Sequence, residues 1–131
     1  MKQVILMLLG LAAIVQGEVR EVSAESGLRK VMFDLLRPEI ATQAGKAASA
    51  VKFQGSLKRE GKWAFFSGRS LEGATSISFE PMGNDDTCAL WLETRKGWIL
   101  VDWSAGHSDV FYLVWAEEYG VPEALLGLAK P

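Results

Sequence analysis

The sequence predicts an α+β fold: an N-terminal helix packed on a four-stranded antiparallel meander sheet, with a C-terminal helix. Three observations carry this. Apolar residues recur at helical spacing from Leu28 to Leu36, the period drops to two from Val51, and a capping pattern at Ser108-Asp109 opens a second helical stretch near the end.

Before the first helix, Met1-Lys2, an apolar run over residues 4–15 and then Gln16-Gly17-Glu18 follow the pattern of a secretory signal, and the run is too short to span a bilayer. Cleavage is expected after Gly17, with Val15 three positions before the cut; Val22-Ser23-Ala24 is a second pattern. The only cysteine is Cys88, so neither cut leaves a Cys to be acylated. The expected product is a single periplasmic or secreted domain over residues 18–131, with no membrane association after cleavage. Removing Lys2 takes the formal charge from −2 to −3, which gives no electrostatic reason to expect nucleic acid. A lone cysteine also excludes an internal disulfide, so packing must hold the domain, and Cys88 reads as a small buried hydrophobe in its apolar segment.

Leu28, Val31, Met32, Leu35 and Leu36 form one stripe on a helix over residues 23–37, capped by Ser23 or Ser26. Pro38 either starts a second short helix through Ala44, stopped by Gly45, or kinks one longer helix. Val51, Phe53 and Leu57 alternate with Lys52, Gln54, Ser56 and Lys58 as a first strand. Glu60-Gly61 turns it, residues 63–68 form the second, and a long loop over residues 71–86 follows. Residues 87–95 and 98–105 are the third and fourth strands, joined at Lys96-Gly97. Residues 110–119 are helical up to Gly120, and a short terminal helix runs from Val121 through Leu128.

Residues opposite each other in a hairpin share a face of the sheet. A turn at Lys96-Gly97 pairs Leu92 with Val101, Trp91 with Asp102 and Leu90 with Trp103. One face then gathers Leu90, Leu92, Ile99, Val101 and Trp103, and the other Trp91, Glu93, Arg95, Trp98, Leu100 and Asp102. The first hairpin divides likewise into Val51, Phe53, Leu57, Ala64 and Phe66 against Lys52, Gln54, Lys58, Trp63, Phe65 and Arg69. Joining like with like makes one dry face for the helical stripe and one amphipathic face carrying Trp63, Phe65, Trp91 and Trp98. Aromatic area rimmed by charge marks an interaction site. The alternatives are that the last helix folds back over that face or that the curved sheet closes round it as a pocket.

His107 is the only histidine, which removes sites needing two imidazoles; Asp102 and Asp109 lie near it, and a loop residue beside a helix cap is the plainer reading. Asp85-Asp86 with Asn84 and Glu80 lacks the ligand rhythm of a calcium loop. Glu117-Glu118 are adjacent and point apart. No metal and no cofactor is expected.

Arg29-Lys30, Arg37-Pro38, Gly61-Lys62-Trp63-Ala64-Phe65 and Gly106-His107-Ser108-Asp109-Val110, followed by Leu113, Trp115, Tyr119-Gly120 and Pro122, give the chain a resemblance to a family of small exported bacterial proteins with no assigned biochemical role. His107-Ser108 stands where that pattern more often has Pro-Thr, which weakens a catalytic role for His107. The resemblance implies a helix on an antiparallel sheet, similar to cystatin-like or NTF2-like folds, and supplies no substrate.

The expected function is a non-enzymatic module that binds a protein or a small apolar ligand, with an inhibitor or immunity-type protein as a specific version. The candidate binding residues are Trp63, Phe65, Trp91, Trp98, Asp102, His107 and Asp109. The rival is an NTF2-like enzyme or carrier with Asp102 in an apolar pocket. Homodimerisation through the aromatic face is a third reading.

Overall fold

The computed structural model describes residues 18–23, 25–79, 83–106 and 111–127, and the side chain of Phe111 is not among what it describes. The expected leader, Ala24 of the second cleavage pattern, His107, Ser108 and Asp109 lie outside the described residues. Six strands make one antiparallel sheet: β1 (Arg20–Glu21), β2 (Val51–Glu60), β3 (Trp63–Glu72), β4 (Thr75–Ser76), β5 (Asp86–Thr94) and β6 (Gly97–Ala105). Their order is β1-β2-β3-β5-β6, with β4 paired to the end of β3. The α+β reading therefore holds, while the four-stranded sheet is corrected to six. The added strands have local causes. β1 zips Arg20 and Glu21 against Arg59 and Lys58, so the helix is not the first element. The long loop expected over residues 71–86 instead holds the end of β3, β4 and a Phe79–Asn84 bridge, where the apolar Ile77 and Phe79 are buried.

Helix α1 (Gly27–Ala44) is one helix with Pro38 inside it, which decides between the two readings of that proline. Ser26 caps it, its hydroxyl accepting from Leu28 N at 3.0 Å. At the other end Gly45 takes the left-handed conformation (φ 70), and Lys46 N donates to Ala41 O at 2.9 Å, a Schellman stop. The buried stripe is Met32, Phe33, Leu36, Ile40 and Ala41, whereas Val31 and Leu35 are 46% and 36% exposed. Continuing past Pro38 brings Ile40 and Ala41 into the stripe, and over that length the sheet-facing side centres on Phe33 and Leu36. Val31 and Leu35 then fall on its rim.

The turns lie one residue from where they were expected. Glu60 pairs with Trp63, and Thr94 with Gly97. In the first hairpin the faces survive this shift. In the second, a bulge between Leu90 and Trp91 lets β6 gain a residue, so Trp91 pairs with Leu100 but Leu90 with Asp102 and Ala89 with Trp103. Asp102 and Trp103 thereby exchange faces relative to the expected pairing. Across β3 and β5, Ala64 pairs with Trp91 and Phe66 with Ala89. The dry face of the first hairpin is thus continuous with the Trp91/Trp98 face of the second, and α1 packs there.

Between α1 and the sheet lies a core of Met32, Phe33, Leu36, Ile40, Val51, Leu57, Phe66, Ala89 and Trp91, with Trp98, Leu100 and Trp103 half-buried at its margin. Phe33 meets Phe66 edge-on at 5.2 Å and lies 4.8 Å from Phe53. Gly55 and Gly68 face each other in this layer, and a Cβ on Gly68 would stand 2.1 Å from the carbonyl oxygen of Gln54. Only glycines permit strands that close there.

The opposite face carries Phe65, Cys88 and Leu90 and is covered by the C-terminal segment, through Trp115, Val121, Leu125 and Leu126. That segment is a 3-10 turn (Phe111–Val114) running into α2 (Trp115–Tyr119), ended by left-handed Gly120 (φ 74). The terminal helix expected from Val121 is instead a run of turns, with Leu125 N on Pro122 O, Leu126 N on Glu123 O and Gly127 N on Ala124 O. Val121, Leu125 and Leu126 are the anchored residues there, and turns bring all of them to the sheet. Among the described residues no helix is long and apolar enough to cross a membrane.

Candidate functional site

The expected aromatic face does not exist as one surface. Trp91 is fully buried beneath α1, and its indole N–H donates to Met32 O at 3.1 Å. Trp98 lies on the same face at the edge, half-buried, with the Arg59 guanidinium 5.0 Å above its ring. Arg59 also donates to Gly61 O and to Glu93, so that rim is already neutralised. Trp63 and Phe65 point to the other side of the sheet. Phe65 is 5% exposed, its ring 5.1 Å from Tyr112 and edge-on to Trp115 at 6.2 Å. Trp63 is half-buried at the end of that layer.

Asp102 is brought by the bulge to the covered face. Its Oδ2 accepts from the Tyr119 hydroxyl at 2.8 Å and its Oδ1 from Trp103 N at 2.8 Å. The carboxylate ties α2 to the sheet. That hydrogen bond holds the proton on Tyr119, with desolvation adding to it, and the phenol is pushed up to about 12. Cys88 is buried on the same layer, and burial, then the charges of Asp102 and Asp86, push its thiol up to about 12. A thiol so held is a poor nucleophile. His107 and Asp109 cannot be placed, since they lie outside the described residues.

A different strip emerges from the β2–β3 ladder. On the covered face, successive rungs are Ser56 with Ser67, Lys58 with Phe65, and Glu60 with Trp63. The C-terminal segment leaves a broken furrow of two separate depressions along them. One end is a depression of about 170 Å³ lined by Glu60, Gly61, Lys62, Trp63, Gly120 and Pro122. The other, about 210 Å³, includes Ser56, Lys58, Phe65 and Ser67 with Tyr112, Leu125 and Leu126.

Two buried side-chain oxygens have no hydrogen-bond partner among the described residues, and both lie on this strip: Ser56 Oγ and Glu60 Oε1. Leaving such a group unpaired costs about 1–3 kcal/mol, so native structures rarely leave one without a reason. Glu60 is only 6% exposed, and burial raises its pKa by penalising the carboxylate. Sequence reasoning missed it because Glu60-Gly61 reads as turn residues. The available signal was that Glu60 continues the alternation of Ser56 and Lys58 and therefore shares their face.

No group of three or more metal-ligating side chains occurs among the described residues. Comparison with family models, with characterised proteins and with solved structures found no significant match.

Proposed function

We propose that this chain is an exported, periplasmic, non-enzymatic binding module of cystatin-like or NTF2-like kind, and that its binding site is the furrow between the β2–β3 ladder and the C-terminal segment. One observation carries the reading. The two buried oxygens without a partner among the described residues, on Ser56 and Glu60, lie on the same face of the same strand, beside the C-terminal segment. A bound partner would complete both.

Trp63 and Phe65 keep their roles as candidate contacts. Trp63 walls the Glu60 end, and Phe65 floors the other. Trp91 and Trp98 become supports of the α1 layer. An inhibitor or immunity-type protein is the specific form proposed, with the furrow receiving a segment of its target.

The test uses the chain recovered from the periplasm of an expressing host, whose N-terminal residue also reports the leader and its cut. Partners captured by the wild type are compared with those captured by Trp63→Ala and Glu60→Gln. The expected result is loss of the same partner from both variants at unchanged helix and strand content. Identical partner sets would remove the furrow from the proposal, and a chain retained in the cytoplasm with residues 1–17 attached would remove export.

A further inference from the structure

We infer that the chain pairs with a second copy of itself through the open edge of β6, extending the sheet antiparallel across a two-fold axis at Ile99. The furrow, which lies on β2 and β3, takes no part. β6 is the last strand of the sheet, so one side of its main chain has no neighbouring strand. Which groups point there follows from the hairpin. Glu93 N donates to Lys62 O at 2.8 Å, on the β3 side, so its rung partner Trp98 turns its own N–H and C=O away from β5. Leu100, two residues on, does the same. Neither finds a partner on that side among the described residues.

Other stretches of both edges are occupied. Farther along β6, Val101 is bulged, Trp103 N is taken by Asp102 Oδ1 at 2.8 Å, and Ala105 O by Gln43 Nε2 at 3.3 Å. At the opposite edge β1 covers Lys58 and Arg59, Val22 N donates to Leu57 O at 2.8 Å, and Arg37 Nε to Val51 O at 2.9 Å. Folded proteins protect free edges with such devices and with Lys or Pro. Gly97–Ala105 carries neither residue, and its only charge is Asp102.

The open stretch is complementary to itself. Turned about Ile99, Trp98 of each copy meets Leu100 of the other, and these outward residues exchange N–H and C=O bonds. Ile99, 47% exposed, meets its own counterpart. The positive turn Arg95-Lys96 comes level with Asp102 of the other copy, and neither cation forms an ion pair within 4.0 Å among the described residues. Helix α1 adds apolar area. Met32 O takes the Trp91 indole at the Leu100 rung and Gln43 reaches Ala105, so α1 runs alongside β6. The rises from Met32 to Gln43 and from Leu100 to Ala105 agree, both being about 16 Å. Leu28 and Leu35 stand one helical turn either way from Met32 on that flank. With exposed Val31 they lie beside the open stretch, and a second sheet joined there gives them a neighbour.

The experiment is sedimentation equilibrium of the exported chain over a concentration series, with two variants at Ile99. The wild type is expected to reach the mass of two chains. Ile99→Lys, at an exposed position, sets like charges opposite each other and is expected to weaken the dimer more than about tenfold with circular dichroism unchanged. Ile99→Cys, recovered under oxidising conditions, is expected to become a disulfide-linked dimer, because directly opposed residues of antiparallel strands hold their Cβ atoms about 4.5–5.5 Å apart. Lys52→Cys, exposed on β2, is the control and is expected to stay unlinked, and the buried Cys88 adds no link of its own. A wild type monomeric at every concentration, a dimer unchanged in Ile99→Lys, or equal linking of both cysteine variants overturns the inference. So does a monomeric chain that captures a different protein only while Ile99 is intact, which would give the edge to a foreign strand.

Discussion

Replacing Trp91 by alanine tests the central structural correction, that this residue holds α1 on the sheet. Its side chain is fully buried, and its indole donates to the Met32 carbonyl at 3.1 Å. Truncating a buried aromatic to Ala costs about 3–5 kcal/mol, including the cavity. The lost indole bond contributes about 1 kcal/mol. A total of about 4–6 kcal/mol is therefore expected. With an unfolding entropy of about 2.1 cal/mol/K per residue over roughly 110 residues, that lowers Tm by about 17–26 °C.

Domain stabilities of about 5–15 kcal/mol leave little margin at the low end, so Trp91→Phe is the companion variant. It keeps a ring but loses the hydrogen bond and some volume, at about 1–2 kcal/mol. Trp98→Ala is the control. Trp98 is half-buried at the margin, and losing its contact with Arg59 costs about 1 kcal/mol. Urea and thermal unfolding followed by far-ultraviolet circular dichroism give the three values. A Trp91→Ala protein melting within a few degrees of the wild type, or no more destabilised than Trp98→Ala, would refute the packing of α1 on this face.

Four further outcomes follow from the same geometry. Cys88, its thiol pushed up to about 12 by burial, should react with a thiol reagent at neutral pH only as fast as the domain opens, and at once in urea; fast labelling of the native chain would contradict it. Tyr119 has a folded pKa of about 12 against an ordinary 10.0, so its bond to Asp102 contributes fully below pH 10 and is lost as the pH climbs toward 12. Asp102→Ala should return its phenolate absorbance toward the ordinary midpoint, and an unmoved titration would dissolve that clasp. Gly68→Ala, whose methyl would meet the Gln54 carbonyl oxygen at 2.1 Å, should cost about 3 kcal/mol; a neutral effect would mean the strands do not close at that rung. Glu60 binds its proton more tightly when folded, so its effect favours the fold on the acid side of 4.5 and fades as pH rises through the raised value. Glu60→Gln should remove that slope and raise the neutral-pH melting temperature, and a lower one would show that the carboxylate has a partner.

How much of this was legible can be judged at particular residues. A helix from the Leu28–Leu36 stripe, Ser26 as one of its two offered caps, Gly45 as a stop and two hairpins follow from periodicity and from turn and cap chemistry; the structure has them with the helix run on through Pro38 and each turn one residue earlier or later than expected. The pairing of faces did not follow, and Trp91 explains why. Joining dry face to dry face assumes that one side of the sheet is wet, yet this sheet is covered on both sides, by α1 and by the C-terminal segment. Alternation then identifies two faces without saying which element lies on each. Only the β3–β5 register decides that.

The candidate site was lost for a related reason. A bulge adds one residue to β6 and exchanges Asp102 with Trp103, so the acid that parity placed beside Trp91 instead clasps Tyr119 on the covered side. No local sequence signal announces that bulge. Glu60, by contrast, was within reach. It keeps step with Ser56 and Lys58 on β2, and a carboxylate held in step with a face that also carries Phe65 and Trp63 must be buried, paired or occupied. Burial is what the structure gives it, and the absence of a pairing for its Oε1 among the described residues is what turns a strand-end glutamate into the strongest argument for occupancy.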